Sequence, residues 1–182
     1  NTPIAAVLFA LEEIIGNMNA TLLGSTVVAS VAAVVVQRSI LGNEPLFRVP
    51  EYALEHPAEL IGYAVLGIVG GLVSLAFCKS LLALRLWFRR LPKWTVMLQP
   101  AMGGVVIGTA LLFIPEIKGV GYEYVDQALN GGLVMQTMIV LCVVKLVATV
   151  VSYCSGNAGG IFAPSLFVGA MTGGVVGMIV NS

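Results

Sequence analysis

The sequence predicts an all-α polytopic membrane protein, and three observations carry that prediction. Of the 182 residues, 58% are hydrophobic and only 10% charged, with a mean hydropathy of +0.99. A soluble domain is nearer a quarter charged, because charge has to cover its core. Apolar runs of roughly 20 residues, the length that crosses a bilayer as a helix, recur along the chain. The charges that do occur gather between those runs. Formal net charge is zero, so there is no basic surface for nucleic acid.

The elements follow in order. Pro3 to Glu13 is apolar until its two acids and, as a helix, only about 16 Å long, half the depth of the hydrocarbon. Ile14 to Gln37 is uncharged and is the first expected span. Leu60 to about Leu84 is the second, broken by Lys79. Trp94 to Ile114 is the third. Leu133 to Tyr153 is the fourth, with Lys145 inside it. Ile161 to Val180 is a fifth apolar stretch that opens on a Gly-rich turn. The chain begins Asn1-Thr2-Pro3 and ends within an apolar run, which leads us to expect an internal stretch of a longer protein.

Charge placement orients the spans. Arg85, Arg89, Arg90 and Lys93 cluster between the second and third with no acid among them, which marks a cytoplasmic connection. Glu44, Glu51, Glu55 and Glu59, against Arg48 and among Pro45, Pro50 and Pro57, mark an external one. Glu116, Glu123 and Asp126 place the next connection outside as well. Alternation then puts Tyr153, and also Glu12 and Glu13, toward the cytoplasm.

Gly67 and Gly71, Gly104 and Gly108, and Gly169, Gly173 and Gly177 repeat at four-residue spacing. On helices these form narrow ridges that let another backbone approach. Cys78, Cys142 and Cys154 lie in apolar stretches without metal-ligand spacing and are expected to be buried thiols. His56, before Pro57, suits a helix start better than a ligand. There is no GxSxG, no HExxH and no His in any span to act as a base, so an intramembrane enzyme is not expected. No cofactor is expected either.

The most specific segment is Ser155-Gly156-Asn157-Ala158-Gly159-Gly160-Ile161-Phe162-Ala163-Pro164. Its glycines permit backbone angles that other residues avoid. A helix is expected to start near Ile161, with Pro164 in its first turn, where a missing N–H removes no helix bond. The first-turn amides, those of Ile161 and Phe162 among them, point out of the helix end. Within a membrane such donors call for a partner, and the helix dipole favours an anion. Half-helices of this kind hold anions in transporters. From the glycines and proline alone, a plain loop whose amides meet water fits equally.

Gly160-Ile161-Phe162-Ala163-Pro164 resembles the GxFxP signature of the CLC chloride channels and proton/chloride antiporters, and the resemblance extends over Gly156 to Leu166. Asn1-Thr2-Pro3 with Val7 to Glu13 (VLFALEE) resembles a second CLC signature at the family's separation, so the resemblance covers the whole chain. It implies a partial CLC-type inverted-repeat fold, about helices H to N in the family's lettering, with 1–38 in the first repeat and 57–182 in the second.

The resemblance also implies roles. Gly160, Ile161 and Phe162 would bind chloride, the substrate, through the backbone amides of the last two. Glu13 would pass protons to and from the cytoplasm, with Glu12 a neighbouring carboxylate. Family channels tend to carry Val where Glu13 stands, which favours a proton-coupled antiporter over a passive channel. A fluoride/proton antiporter and a non-transporting assembly subunit are the further alternatives. Pro3–Glu13 and Leu22–Gln37 would line a homodimer interface, and the expected location is a bacterial inner membrane. Taken without the resemblance, Glu12 and Glu13 equally fit a helix end in interfacial water, although a carboxylate at a membrane helix end is often functional. The family's GxEGP glutamate, GSGIP serine and C-terminal chloride-contacting tyrosine are not among these residues, so the fragment alone is not expected to transport.

Overall fold

The computed structural model of the chain describes residues 2–16, 20–43, 47, 49, 57 and 59–180. The described residues are helical with no strand, and they divide into two compact units, 1–46 and 47–182. The expected external residues Glu44, Pro45, Arg48, Pro50, Glu51, Glu55 and His56 lie outside the described residues.

In the first unit, α1 spans Pro3–Phe9. Proline in its first turn loses no helix bond, and the Ala6 N–H donates to the Thr2 carbonyl at 3.0 Å. The chain then winds more loosely, as a π-helix over Ala10–Ile15 that carries Glu12 and Glu13, and stops at Gly16. Gly16 has φ +66°, in the left-handed region where glycine is at ease. The next helix, α2, is Ala20–Leu41. The expected span Ile14 to Gln37 is therefore shifted: Gly16 ends one helix and α2 starts afresh. Ser30 Oγ donates to the Pro3 carbonyl at 2.9 Å and ties α2 to α1. None of the most apolar window of α2 is buried.

In the second unit, α3 is Glu59–Arg90, 32 residues. At 1.5 Å per residue that is about 48 Å, more than the ~30 Å hydrocarbon, so its Arg-bearing last turns have length to spare. A short 3₁₀ turn, Lys93–Met97, precedes α4, Gln99–Phe113. The expected third span thus breaks at Leu98, and α4, at about 22 Å, is short for a crossing. Pro100 explains the break: lacking an N–H, it fits the first turn of a helix and not its middle. A second 3₁₀ turn, Pro115–Ile117, leads to α5, Tyr122–Leu129, then α6, Met135–Cys154, and α7, Phe162–Val180. Four described helices, α2, α3, α6 and α7, are long and apolar enough to cross a membrane.

The second unit is built around α6 and α7. They pack on each other; α3 touches both, α4 lies on α6 and α5 on α7. Phe167 and Met171 of α7 meet Met138 and Leu141 of α6, Val125 of α5 and Ile117 of the preceding turn. Lipid tails are as apolar as these side chains, so close packing rather than escape from water holds such contacts. The closest approaches are made at glycine. A Cβ on Gly174 would lie 2.6 Å from Met138 Sδ, and one on Gly103 would lie 2.6 Å from Ser155 Cβ. Among the described residues the four-residue ridges make no such approach: a Cβ at Gly67, Gly71, Gly104, Gly108, Gly169, Gly173 or Gly177 would meet no atom within 4 Å. Several of these glycines border open space, as Gly169 and Gly173 do in an apolar groove between α3 and α7.

Candidate anion site at the start of α7

The turn between α6 and α7 is built by its own backbone. Gly156 takes φ +83°, and its N–H donates to the Tyr153 carbonyl at 3.4 Å. The Asn157 N–H reaches back to the Ser152 carbonyl at 3.2 Å. These two bonds form a Schellman cap, which satisfies the last carbonyls of α6 and requires a left-handed residue where Gly156 stands. Ser155 Oγ donates to the Ser152 carbonyl at 3.0 Å and accepts from Asn157 Nδ2 at 3.2 Å. Ser155 is buried, pressed onto the bare backbone of Gly103 on α4. Helix α4 therefore packs directly against the end of α6.

From there the chain runs through Ala158, Gly159 and Gly160 into α7. The first helix bond is donated by the Ser165 N–H to the Ile161 carbonyl at 3.0 Å. Ile161 is thus the cap residue and Phe162 the first helical one, so the helix starts near Ile161 as expected. Pro164 sits in the first turn, and Ser165 Oγ donates to the Phe162 carbonyl at 2.7 Å. Nothing lies within 4 Å of where a Cβ would stand on Gly159 or Gly160. Ile161 and Phe162 are 39% and 66% exposed. The structure thus brings Gly160, Ile161 and Phe162 together at a helix start whose approach is open. The positive end of the α7 dipole lies at this point, an electrostatic setting that favours an anion.

A cavity of about 190 Å³ lies against this turn, walled by Gly159, Gly160 and Pro164 on one side and by Lys145, Ser152 and Tyr153 of α6 on another. Lys145 is the residue that the sequence alone undervalued. It is only 4% exposed, and its Nζ donates to the carbonyls of Ile117 at 2.8 Å and Gly119 at 2.6 Å. A single lysine inside an apolar span was the available signal.

Glu12 and Glu13 belong to the first unit, on its π-helical segment, and both are exposed there. Cys142 Sγ lies 3.6 Å from Thr172 Oγ1, and Cys154 Sγ donates to the Leu81 carbonyl at 3.4 Å; both are partly buried. Cys78, expected to be buried, is exposed on α3.

Comparison with known proteins gives a consistent result. A family model described as "Voltage gated chloride channel" matches residues 1–182. The chain is 33% identical over 197 residues to "Chloride channel protein CLC-e" of Arabidopsis thaliana, covering all of this chain and 28% of that protein. It is 30% identical over 184 residues to "H(+)/Cl(-) exchange transporter ClcA" of Vibrio cholerae, covering 98% of this chain and 39% of that one. The chain thus spans well under half the length of these curated relatives.

Proposed function

Since the chain belongs to the voltage-gated chloride channel family, we propose that the full-length protein moves chloride across a membrane in exchange for protons. The observation that carries this reading is the opening of α7, where Gly160, Ile161 and Phe162 stand at the positive end of an apolar helix with open space beside Gly159 and Gly160. Chloride is held there by the amides of Ile161 and Phe162. Glu13 relays the proton with Glu12 beside it, because a carboxylate can take and release a proton where an apolar residue cannot. Exchange is supported by the likeness to the Vibrio protein named as a proton/chloride exchanger, and a bacterial inner membrane is the location that fits that relative.

A passive chloride channel is the second reading, supported by the similar identity to the Arabidopsis protein named as a channel. The division at Leu46 supports assigning about 1–38 and 57–182 to two repeats. The wholly unburied apolar window of α2 supports a homodimer formed through Pro3–Glu13 and Leu22–Gln37.

Amide hydrogen exchange of the full-length protein in detergent, with and without chloride, tests the anion site. Slower exchange at Gly159 to Phe162 in chloride is expected. Exchange there that ignores chloride would point instead to a non-transporting assembly subunit or to another anion, and fluoride in place of chloride separates those two.

A further inference from the structure

We propose that Lys145 is a positioning residue for the anion site: its ammonium group clamps the 117–119 turn to α6 and α7, and so sets the wall of the cavity that opens onto Gly159 and Gly160. The inference rests on the reading of α7 as the chloride site. Lys145 is buried, and its ammonium group meets no acid among the described residues. Its partners are the carbonyls of Ile117 and Gly119, at 2.8 and 2.6 Å, and the ring of Phe167, whose centroid lies 5.0 Å away. Two of its three donors are therefore committed to backbone, and the ring quadrupole faces the same charge.

The partners tie three elements together. Ile117 and Gly119 belong to the link between α4 and α5. Phe167, 0% exposed, stands on α7 five residues beyond Phe162. Gly121 closes the same knot from the other side: a Cβ there would lie 2.6 Å from the Phe167 ring, and its φ of +79° suits glycine alone. Without the lysine, the carbonyls of Ile117 and Gly119 would lose the donor that holds them to α6. The link would then move, and the cavity wall and the start of α7 with it. The ammonium acts through what it holds rather than as a ligand of the anion.

The test uses full-length protein in vesicles, with the half-saturation of chloride transport as one reading. Amide exchange over residues 115–121, taken without chloride, is the other, and it tests the clamp even if the transport reading fails. Lys145→Arg keeps donors and charge and is expected to resemble the wild type in both. Lys145→Met is expected to speed exchange over 115–121 and to raise the half-saturation by about tenfold, the scale of coupling between neighbouring elements. Gly121→Ala leaves the lysine intact but pushes the link off Phe167, and it is expected to do the same. If Lys145→Met leaves 115–121 protected or the half-saturation unchanged, the proposal is overturned. It is equally overturned if Gly121→Ala loosens the link without changing the half-saturation, since the charge itself would then be what the anion feels. Should Lys145→Met not fold, Gly121→Ala decides alone. Wild-type vesicles that move no chloride would instead count against the transport reading.

Discussion

At Gly103 a hydrogen stands where a methyl group has no room, because the Ser155 side chain already fills the place. Gly103→Ala should therefore cost about 1–3 kcal/mol, the usual penalty for overpacking, and lower the thermal midpoint in detergent. Gly104→Ala, next to it and facing open space, should stay within about 0.5 kcal/mol. Equal melting of the two variants would refute the close approach. The four-residue spacing picks out Gly104 and passes over Gly103, since spacing shows which residues share a helix face but not which face meets a neighbour. The turn after Cys154 was more legible: a glycine that can turn left-handed, followed by more glycines and a proline, has few other uses. The task of Lys145 was not legible, because the carbonyls it holds lie 26 to 28 positions away in the chain. Glu13 is the residue on which the proton reading depends, and the π-helical winding around it leaves no mark in so short an apolar stretch.

Helix α7 has a feature that allows a single amide to be removed without breaking the element. Phe162 is its first residue, a position that tolerates proline. Phe162→Pro should keep the helix, as judged by circular dichroism, yet remove one donor from the site. A hydrogen bond to a charged group is worth about 1.5–3 kcal/mol, so chloride binding measured by calorimetry should weaken roughly ten- to hundredfold. Undiminished binding would place the anion elsewhere. Helix ends were the least legible part of the elements. Gly16 and Pro100 divide apolar runs that hydropathy reads as continuous, and only the capping geometry shows where the chain turns. The Arg-rich end of α3 gives a prediction for orientation: single cysteines placed at Arg89 and at Glu123, in a background free of the native thiols, should label from opposite sides of the membrane. Labelling of both from one side would contradict the assignment of charge to the two faces.

Across the whole molecule, composition made the class legible, since a chain with so little charge has lipid as its natural solvent. Family membership came from two short motifs and extends over every residue. What the sequence could not supply is what meets the apolar faces of α2 and α3: the chain covers 39% of the Vibrio relative, and the most apolar windows of both helices are unburied among the described residues. In the proposed exchange, chloride binds at the α7 amides while the proton travels by Glu13, so that two ions use two different residues. Simultaneous chloride efflux and proton uptake in vesicles holding the full-length protein test it most directly. The wild type should move both ions in a fixed ratio. Glu13→Gln, nearly the same size but unable to take up a proton near neutral pH, should keep chloride movement and lose the linked protons. Chloride movement without protons in the wild type would replace exchange by a passive channel, and full coupling in Glu13→Gln would contradict the relay.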